Sequence, residues 1–414
     1  MLLLGPDVPA PSAADVPASP LARAGVRLLL GAIRLLPRRA RDGLAAAVGR
    51  LAFALGIRRQ VVLEGLAWAF PAWSGPEIRS VARKTYQHLG RTALDAALSQ
   101  GLSPDALAAS VSMDDAAVFD RELARGRGLL LATAHLGNWE VLGEAVTRRG
   151  LRLNAVVRPL KGAFNAEVVA GRVRSGMRLI PQRGALRGTL AALRRNEAVT
   201  VLLDQAIGGK HALFVPFFGR PAATTPLLSV AALHTGAPVL LAMAPYVDGR
   251  LRMQVEGPFP VPSTGDQARD LWTHAAAITV AIERAVRAHP DQWLWLHRRW
   301  KLPPPPGEAL RLEVLALATD GRRSDPDRTA VHGRNALRLE ELVAVHGWPG
   351  RAIAAEDGAA AAWEILQHAG AEAQRRFRPS LEAAVKAGHV TGAEFEAWVR
   401  RLQLMDVTPG SEGR

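Results

Sequence analysis

A histidine and a glutamate follow an apolar run in LLLATAHLGNWE, residues 129–140. Residues 129–134 predict a short buried strand that ends at His135, and a helix is predicted from about residue 138, so that Glu140 lies just inside it. A carboxylate bonded to one imidazole nitrogen fixes the tautomer and makes the other nitrogen more basic. The pair therefore predicts a general base that could deprotonate a hydroxyl group.

The spacing of this pair has little specificity by itself. A second histidine with a glutamate five positions later, His389 and Glu394, lies in a helical and mildly acidic part of the chain with no strand before it. We interpret that second pair as coincidental. A core histidine bonded to the backbone is the alternative interpretation of His135.

Asp204 ends another strand-like run, residues 198–205. It could orient His135 in place of Glu140, bind a substrate, or cap a turn. The chain has no cysteine, which excludes a thiol nucleophile. It also has no G-x-S-x-G motif, the pattern of a nucleophilic serine on a sharp turn. The simplest chemistry is attack of a bound alcohol on an activated acyl group. Activation of water, as in an acyl hydrolase, is the alternative.

Strand-like and helical segments alternate in the middle of the chain. This alternation predicts a layered α/β sheet, in which ligands bind beyond the carboxyl ends of the strands. The predicted strands are at 128–134, 151–159 and 198–205, with a hairpin around Asp248 and Gly249, and the predicted helices are at 163–177, 185–195, 225–235 and 266–288.

The positive charge is concentrated before residue 308. The chain has a formal net charge of +14, yet residues 308–414 hold 14 Lys and Arg against 16 Asp and Glu. A basic domain attracts an anionic partner such as nucleic acid, an anionic lipid surface or an acidic carrier. No RNA- or DNA-binding motif supports nucleic acid. A non-catalytic, basic membrane-binding protein is the alternative from another functional class.

Residues 21–41 form a basic amphipathic pattern, in which leucines and arginines fall on different helical faces. Pro37 must kink or end this helix. Such a helix suits an anionic membrane surface, although an ordinary surface helix has the same pattern. No run of about 20 apolar residues predicts a transmembrane helix; the best candidate, residues 44–57, is shorter and contains Arg50.

Composition divides the chain into segments. The Ala- and Pro-rich residues 1–21 are predicted to be disordered. Residues 22–302 are predicted to form the α/β domain with amphipathic helices before it. The segment PPPPG begins a predicted linker, residues 303–340, and residues 341–404 are predicted to form a small helical domain. No pattern indicates a metal site or a cofactor.

Four blocks of sequence resemble, in order, the bacterial lipid A biosynthesis acyltransferases, the lauroyl- and myristoyl-transferring branch of the lysophospholipid acyltransferase superfamily. A helical region at residues 64–92 also resembles the N-terminal part of that family, so the resemblance covers residues 22–302. The four blocks are AHLGNWE (134–140), VVRPLKGAFN (156–165), VLLDQAIGGKHALFVPFFGRPAATTP (201–226) and HPDQWLWLHRRWK (289–301).

The resemblance implies an α/β acyltransferase at the cytoplasmic face of the cell inner membrane, bound peripherally or monotopically. It implies transfer of a fatty acyl chain, usually from acyl carrier protein and alternatively from coenzyme A, to a hydroxyl of a lipid A precursor or a lysophospholipid. By match to the first block, His135 becomes the base and Glu140 its partner. The substrate-binding residues implied by the later blocks are Arg158, Asp204, Gln205, Thr224, Arg298 and Arg299.

Each of these residues also has a simpler interpretation. Arg158 suits a phosphate of the acceptor or carrier, or a developing oxyanion, but many arginines form surface ion pairs. Thr224 precedes a helix, where contact with an acyl chain or phosphate competes with helix capping. Arg298 and Arg299 lie among tryptophans, which suits a membrane interface or docking of an acidic carrier, and a packed strand explains them equally well.

Residues 346–402 resemble a small bacterial domain of unknown function that has similar H-G-W-P and Q-H-A motifs. His346 and His368 could form a site there. A structural role in a helical module is the simpler interpretation, and we expect this tail to be dispensable for acyl transfer.

Overall fold

The computed structural model describes residues 20–99, 101–113, 115, 117–158, 163–208, 212–322 and 327–407. Nearly all of the segment predicted to be disordered, residues 1–21, lies outside this range. The chain divides into two compact units. The first runs to Phe218 and from Ala222 to Leu302, and the second comprises Gly219–Pro221 and the chain from Pro303 onward.

Helices and short strands alternate along the first unit. Its helices are α1 (Pro20–Arg34), α2 (Arg38–Ala54), α3 (Arg59–Ala69), α4 (Gly75–Ser99), α5 (Pro104–Ser110), α6 (Val118–Leu123), α7 (Trp139–Arg148), α8 (Ala163–Arg174), α9 (Ala185–Arg194), α10 (Leu227–Thr235) and α11 (Gln267–Ala288). Its strands, with β7 reaching into the segment assigned to the second unit, are β1 (Val111–Met113), β2 (Leu129–Thr133), β3 (Leu153–Val157), β4 (Arg178–Pro181), β5 (Ala198–Leu202), β6 (Leu213–Phe217), β7 (Arg220–Thr224), β8 (Val239–Met243), β9 (Tyr246–Val247) and β10 (Arg250–Glu256).

The main sheet has the strand order β1-β10-β8-β2-β5-β3-β4, with β9 paired to β10. Strands β8, β2, β5, β3 and β4 are parallel to one another, whereas β10 runs antiparallel to β8. In β2, Leu130 and Ala132 enter one hydrophobic core while Leu129 and Leu131 enter another. Side chains alternate between the two faces of a strand, so both faces of the sheet are covered. The predicted layered α/β fold is confirmed.

The amphipathic helices at the start of the chain are also confirmed. Pro37 separates α1 from α2, as expected of a residue that lacks a backbone N–H and clashes with the preceding turn. Several leucines of these helices face solvent, among them Leu28 and Leu29 at 77% and 61% exposure. Within the part of the chain that the structure describes, no helix has the length and apolarity needed to cross a membrane.

The hairpin around Asp248 and Gly249 is smaller than predicted. It joins β9 to β10, while the apolar run before it forms the separate central strand β8. The pattern also gave no indication of β4 or of the two-stranded sheet of β6 and β7. Four- and five-residue strands with interspersed proline and arginine contain neither a long apolar run nor a clear alternation, which explains why they escaped prediction.

The second unit is helical, as predicted for the C-terminal region. Its core includes Leu310, Leu339 and Trp348. Two of its helices, α12 (Pro306–Gly321) and α13 (Arg328–His346), contribute to this core, so most of residues 303–340 are helical where a linker was predicted. The prolines lead directly into the first turn of α12, a position that tolerates proline. The other helices are α14 (Arg351–His368), α15 (Ala371–Arg376), α16 (Arg378–Lys386) and α17 (Gly392–Val407).

Candidate active site

His135 follows the carboxyl end of β2, at the centre of the sheet. The apolar residues of β2 are buried, so the strand fixes the position of the backbone that follows it. The backbone N–H of His135 donates to Asp204 Oδ2 at 2.8 Å, and its carbonyl accepts from Leu294 N at 3.0 Å. The side chain keeps 16% of its surface exposed. The imidazole is therefore held firmly while one side remains open.

Asp204 follows β5, the strand paired in parallel with β2, so both residues lie at the same edge of the sheet. Asp204 Oδ1 is 2.8 Å from His135 Nδ1, and Asp204 Oδ2 also accepts from the indole Nε1 of Trp293 at 2.7 Å. A carboxylate has no proton to donate, so Nδ1 carries the imidazole proton and Nε2 has the free electron pair.

Asp204 is buried, with 1% of its side chain exposed. Burial by itself raises the pKa of this carboxyl, but the charge of His135 and the hydrogen bonds from His135 and Trp293 outweigh burial and hold the pKa below its usual range. The ionised carboxylate stabilises the positive charge that the imidazole gains when Nε2 accepts a proton.

Gln205 lies beside the other imidazole nitrogen. Its amide Nε2 is 3.3 Å from His135 Nε2, a long hydrogen bond in which the amide donates. The next residue, Ala206, donates its backbone N–H to His297 Nε2 at 3.0 Å. Burial, together with the charge of Lys301, lowers the pKa of His297 to about 4, so His297 is neutral near pH 7 and can accept this bond.

Glu140 is not the hydrogen-bonded partner of His135, which corrects the first sequence interpretation. It lies in the first turn of α7, where its carboxylate is bound by the guanidinium of Arg172 and accepts from Trp139 Nε1 at 3.0 Å. Burial raises the pKa of Glu140, but Arg172 outweighs that effect and lowers it. Helical geometry directs Glu140 towards α8. The partner of His135 is instead Asp204, which the sequence analysis left open as the alternative to Glu140.

Backbone hydrogen bonds and a close approach to Ala244 hold the residues between His135 and α7. Gly137 N donates to Gln292 O at 3.1 Å, and Asn138 N donates to Ala244 O at 2.9 Å. Gly137 has a φ of +64°, and an added Cβ would lie 1.9 Å from Ala244 O. Only glycine can occupy this position, because the backbone conformation and the available space both exclude a side chain.

Arg158 is exposed immediately after β3, which pairs in parallel with β5. Its position at the same edge of the sheet as His135 and Asp204 follows from the strand order. Residues 159–162, which continue the Arg-Pro block, lie outside the described part of the chain.

Arg299 and Thr224 are bonded to each other in the interior, not presented to a ligand. Arg299 is 1% exposed; its guanidinium donates to Thr224 Oγ1 at 2.6 Å and to Ala223 O at 2.5 Å. Burial lowers the pKa of Arg299 to about 10. The predicted substrate-binding role of this pair gives way to a structural one, while Arg298 is exposed.

Sequence reasoning missed the contacts of Trp293 and Arg172 with the two carboxylates. Trp293 belonged to a block noted for its basic and aromatic residues, but nothing in its spacing indicated that its indole reaches Asp204. Arg172 is one of several arginines in and near α8, and only the packing of α8 against neighbouring elements singles it out. Neither contact has a signal in a single sequence.

Comparison with known proteins identifies the family of this chain. Residues 16–302 match the family model described as bacterial lipid A biosynthesis acyltransferase. The chain is 28% identical over 255 residues to the lipid A biosynthesis palmitoleoyltransferase of Escherichia coli (strain K12), covering 60% of this chain and 80% of that protein. It is 26% identical over 277 residues to the lipid A biosynthesis lauroyltransferase of the same organism, covering 63% and 85%.

A relative with a different named acceptor is also similar. The phosphatidylinositol mannoside acyltransferase of Mycobacterium tuberculosis (strain ATCC 25618 / H37Rv) is 27% identical over 186 residues, which is 44% of this chain and 57% of that protein. The matched family region contains the whole sheet and every residue of the site described above. The chain belongs to the bacterial lipid A biosynthesis acyltransferase family, whose reaction is the transfer of an acyl group to a lipid acceptor.

Proposed function

We propose that this protein transfers a fatty acyl chain from the thioester of acyl carrier protein to a hydroxyl of a lipid A precursor, with His135 as the general base. The observation that carries the proposal is the contact between His135 Nδ1 and Asp204 Oδ1 at 2.8 Å, at the open edge of the sheet. A carboxylate on Nδ1 leaves Nε2 as the proton acceptor, which is what attack by an alcohol requires.

The reaction follows from this geometry. Nε2 of His135 takes the proton of the acceptor hydroxyl while the hydroxyl oxygen forms a bond to the thioester carbonyl carbon. The carbon–sulfur bond of the resulting tetrahedral intermediate then breaks, and the leaving thiolate takes the proton from the imidazolium. Asp204 remains ionised and stabilises the imidazolium between the two steps. No covalent enzyme intermediate is needed.

The amide of Gln205 occupies the position beside His135 Nε2 that we expect the acceptor hydroxyl to take. Its amide nitrogen donates to Nε2 at 3.3 Å, so the acceptor oxygen takes its place when the substrate binds. The displaced amide then lies beside the reacting carbonyl, where an N–H donor stabilises a developing oxyanion. Arg158, exposed at the neighbouring strand end, is suited to a phosphate of the acceptor or carrier.

Glu140 has a supporting role in this mechanism. Its ion pair with Arg172 joins the start of α7 to α8, and α7 begins four residues after His135. It therefore stabilises the structure around the base without holding the imidazole directly.

Membrane association is part of the proposal. Leu21, Leu28, Leu29, Leu35 and Leu51 are each at least 59% exposed on α1, α2 and the turn between them. Arg27, Arg34 and Arg38 are exposed on the same two helices. Apolar side chains beside arginines suit insertion into an anionic bilayer surface, so we propose peripheral or monotopic binding at the cytoplasmic face of the inner membrane, where lipid acceptor and acyl carrier protein meet.

The test is transfer of labelled lauroyl chains from acyl carrier protein to a lipid A precursor, with His135→Ala and His389→Ala variants. We expect His135→Ala to reduce turnover by roughly 10²–10⁴-fold, which is what a general base contributes, and His389→Ala to have no effect. Near-normal turnover by His135→Ala contradicts the mechanism. Release of free laurate at the same rate without any acceptor indicates a hydrolase, and binding to vesicles without turnover indicates the non-catalytic alternative.

A further inference from the structure

One short segment, residues 292–297, contacts both of the loops that carry the candidate catalytic residues. In this segment, Gln292 O accepts a hydrogen bond from Gly137 N, and Leu294 N donates one to His135 O. Leu136 and Trp293 form an isolated antiparallel bridge. From the same segment, the side chain of His297 accepts from Ala206, next to Gln205. The segment thus connects the β2 loop to the β5 loop.

Among the described residues, Trp293 makes the one side-chain hydrogen bond from this segment to Asp204. Its Nε1 donates to Asp204 Oδ2 at 2.7 Å, and 1% of the residue is exposed. The ring packs against Phe217 and Trp295, with centroids 5.4 and 4.6 Å away. The indole therefore has a fixed position from which its N–H points at the carboxylate.

We propose that Trp293 is a positioning residue, which acts through Asp204 to orient His135 and to set the pH at which His135 becomes an active base. This inference rests on the proposed function of His135. It gives the segment at residues 292–297 a part in the reaction, in addition to its packing in the first unit.

The geometry around the carboxylate explains the orienting effect. Oδ2 accepts two hydrogen bonds, from His135 N and Trp293 Nε1, and this leaves Oδ1 facing the imidazole ring. Without the indole N–H, one donor from the backbone remains on Oδ2, and rotation of the carboxylate is restrained less. Hydrogen bonds to a charged group are among the stronger ones in proteins, so their loss has a measurable effect.

The direction of the pH effect follows from the charges. An N–H dipole on Oδ2 partly offsets the negative charge that His135 experiences. Removing the dipole strengthens the attraction between Asp204 and the imidazolium, so the imidazolium persists to higher pH. Because the base must be neutral to accept a proton, the rising limb of the pH profile of kcat/KM moves to higher pH.

Trp295 offers a matched control for a role in packing alone. It is also 1% exposed, belongs to the same aromatic cluster, and donates its own Nε1 to Pro290 O at 2.7 Å, away from the carboxylate. Trp293→Phe and Trp295→Phe therefore remove the same atoms from equally buried sites. Only the first change removes a donor from Asp204.

The experiment measures kcat/KM between pH 5 and 9 for wild type, Trp293→Phe and Trp295→Phe, with lauroyl-acyl carrier protein and a lipid A precursor. Urea unfolding of each protein accompanies the kinetics. We expect Trp293→Phe to lower kcat/KM about tenfold and to move the rising limb up by roughly half a unit or more. For Trp295→Phe we expect lower stability with the limb unmoved. If Trp293→Phe does not fold, replacement of the indole at position 293 by benzothiophene keeps the ring shape and removes the N–H.

An unmoved limb in Trp293→Phe, or in the benzothiophene protein, overturns the inference while leaving the role of His135 intact. Equal shifts in the Trp293 and Trp295 variants also overturn it, because they indicate a general effect of cluster packing. Failure of the proposed function has a different signature, since His135→Ala would then retain the activity and the rising limb of the wild type.

Discussion

His135 Nδ1 lies 2.8 Å from Asp204 Oδ1, whereas the carboxylate of Glu140 is occupied by Arg172 and Trp139. We therefore expect the two acidic residues near this imidazole to have separate roles. Matched replacements distinguish them. We expect Asp204→Asn to lower kcat by roughly 10²–10⁴-fold, since the imidazole loses its orienting charge.

Glu140→Gln should instead lower the stability, because largely buried Arg172 loses its hydrogen-bonded counter-charge and keeps only the more weakly interacting Glu144; breaking such a pair costs about 3 kcal/mol. Kinetics and urea unfolding of both variants provide the measurement. A greater loss of kcat in Glu140→Gln than in Asp204→Asn, with unfolding unchanged, contradicts the assignment.

Charge reversal separates Arg298 from Arg299. Arg298→Glu leaves an exposed side chain exposed, so we expect normal stability and a higher KM for acyl carrier protein at low salt. The loss should shrink as salt screens the wild-type attraction. Arg299→Glu places an unpaired carboxylate in the interior and should prevent folding. Equal KM values for wild type and Arg298→Glu at low ionic strength exclude that residue from the docking surface.

Vesicle binding tests the exposed leucines of α1. We expect the double substitution Leu28→Glu and Leu29→Glu to weaken binding to vesicles containing phosphatidylglycerol at least tenfold, because burial of each leucine side chain is worth about 1.5–3 kcal/mol. Val345→Glu is the control, since Val345 of α13 is 75% exposed in the second unit. Co-sedimentation quantifies the binding, and equal loss in both variants argues against a membrane face on α1.

His297 should make the protein sensitive to acid. Its pKa falls from an ordinary value of 6.5 to about 4 in the folded protein, mainly because it is buried. The unfolded chain then binds a proton between these values that the folded protein does not. This contribution to stability is complete above pH 6.5 and is lost progressively as the pH falls towards 4.

Glutamine at position 297 can still accept from Ala206 N but does not titrate. We therefore expect the free energy of unfolding of His297→Gln to change less than that of wild type between pH 7 and 4.5, as measured with urea. Parallel curves for the two proteins exclude His297 as a source of the sensitivity.

A chain that ends at Pro304 should keep acyl transfer activity. The site residues His135, Asp204, Gln205 and Trp293 all lie before residue 303, and the family match ends at residue 302. Normal kcat with a raised KM for acyl carrier protein assigns donor binding to the second unit. A folded but inactive product places the second unit within the active enzyme.

The sequence predicted strands β2, β3 and β5 of the sheet and the locations of His135, Asp204 and Arg158 at their ends, because these features depend on local patterns. An apolar run followed by a polar residue reports a buried strand and its end, and parallel strands bring such ends to one edge. The break at Pro37 is local in the same way, since it follows from the chemistry of the proline ring.

Partnership between side chains was harder to predict. Asp204 lies 69 positions from His135 and Trp293 lies 89 positions from Asp204, so their contacts depend on strand order and loop paths. Glu140 was preferred because it is near in sequence, but one helical turn directs it to Arg172. Burial of Arg299 was equally hidden, because an arginine in a basic run is normally exposed.

We expect the geometry of the pair His135 and Asp204 to depend on Gly137 as well. Its φ of +64° and its contact with Ala244 exclude every other residue, although it takes no part in the chemistry. In a Gly137→Ala protein the backbone at position 137 or at Ala244 must move, and because Gly137 is two residues from His135 we expect the contact between His135 and Asp204 to be disturbed. We therefore expect a side chain at position 137 to lower the activity of this protein even where His135 and Asp204 are intact.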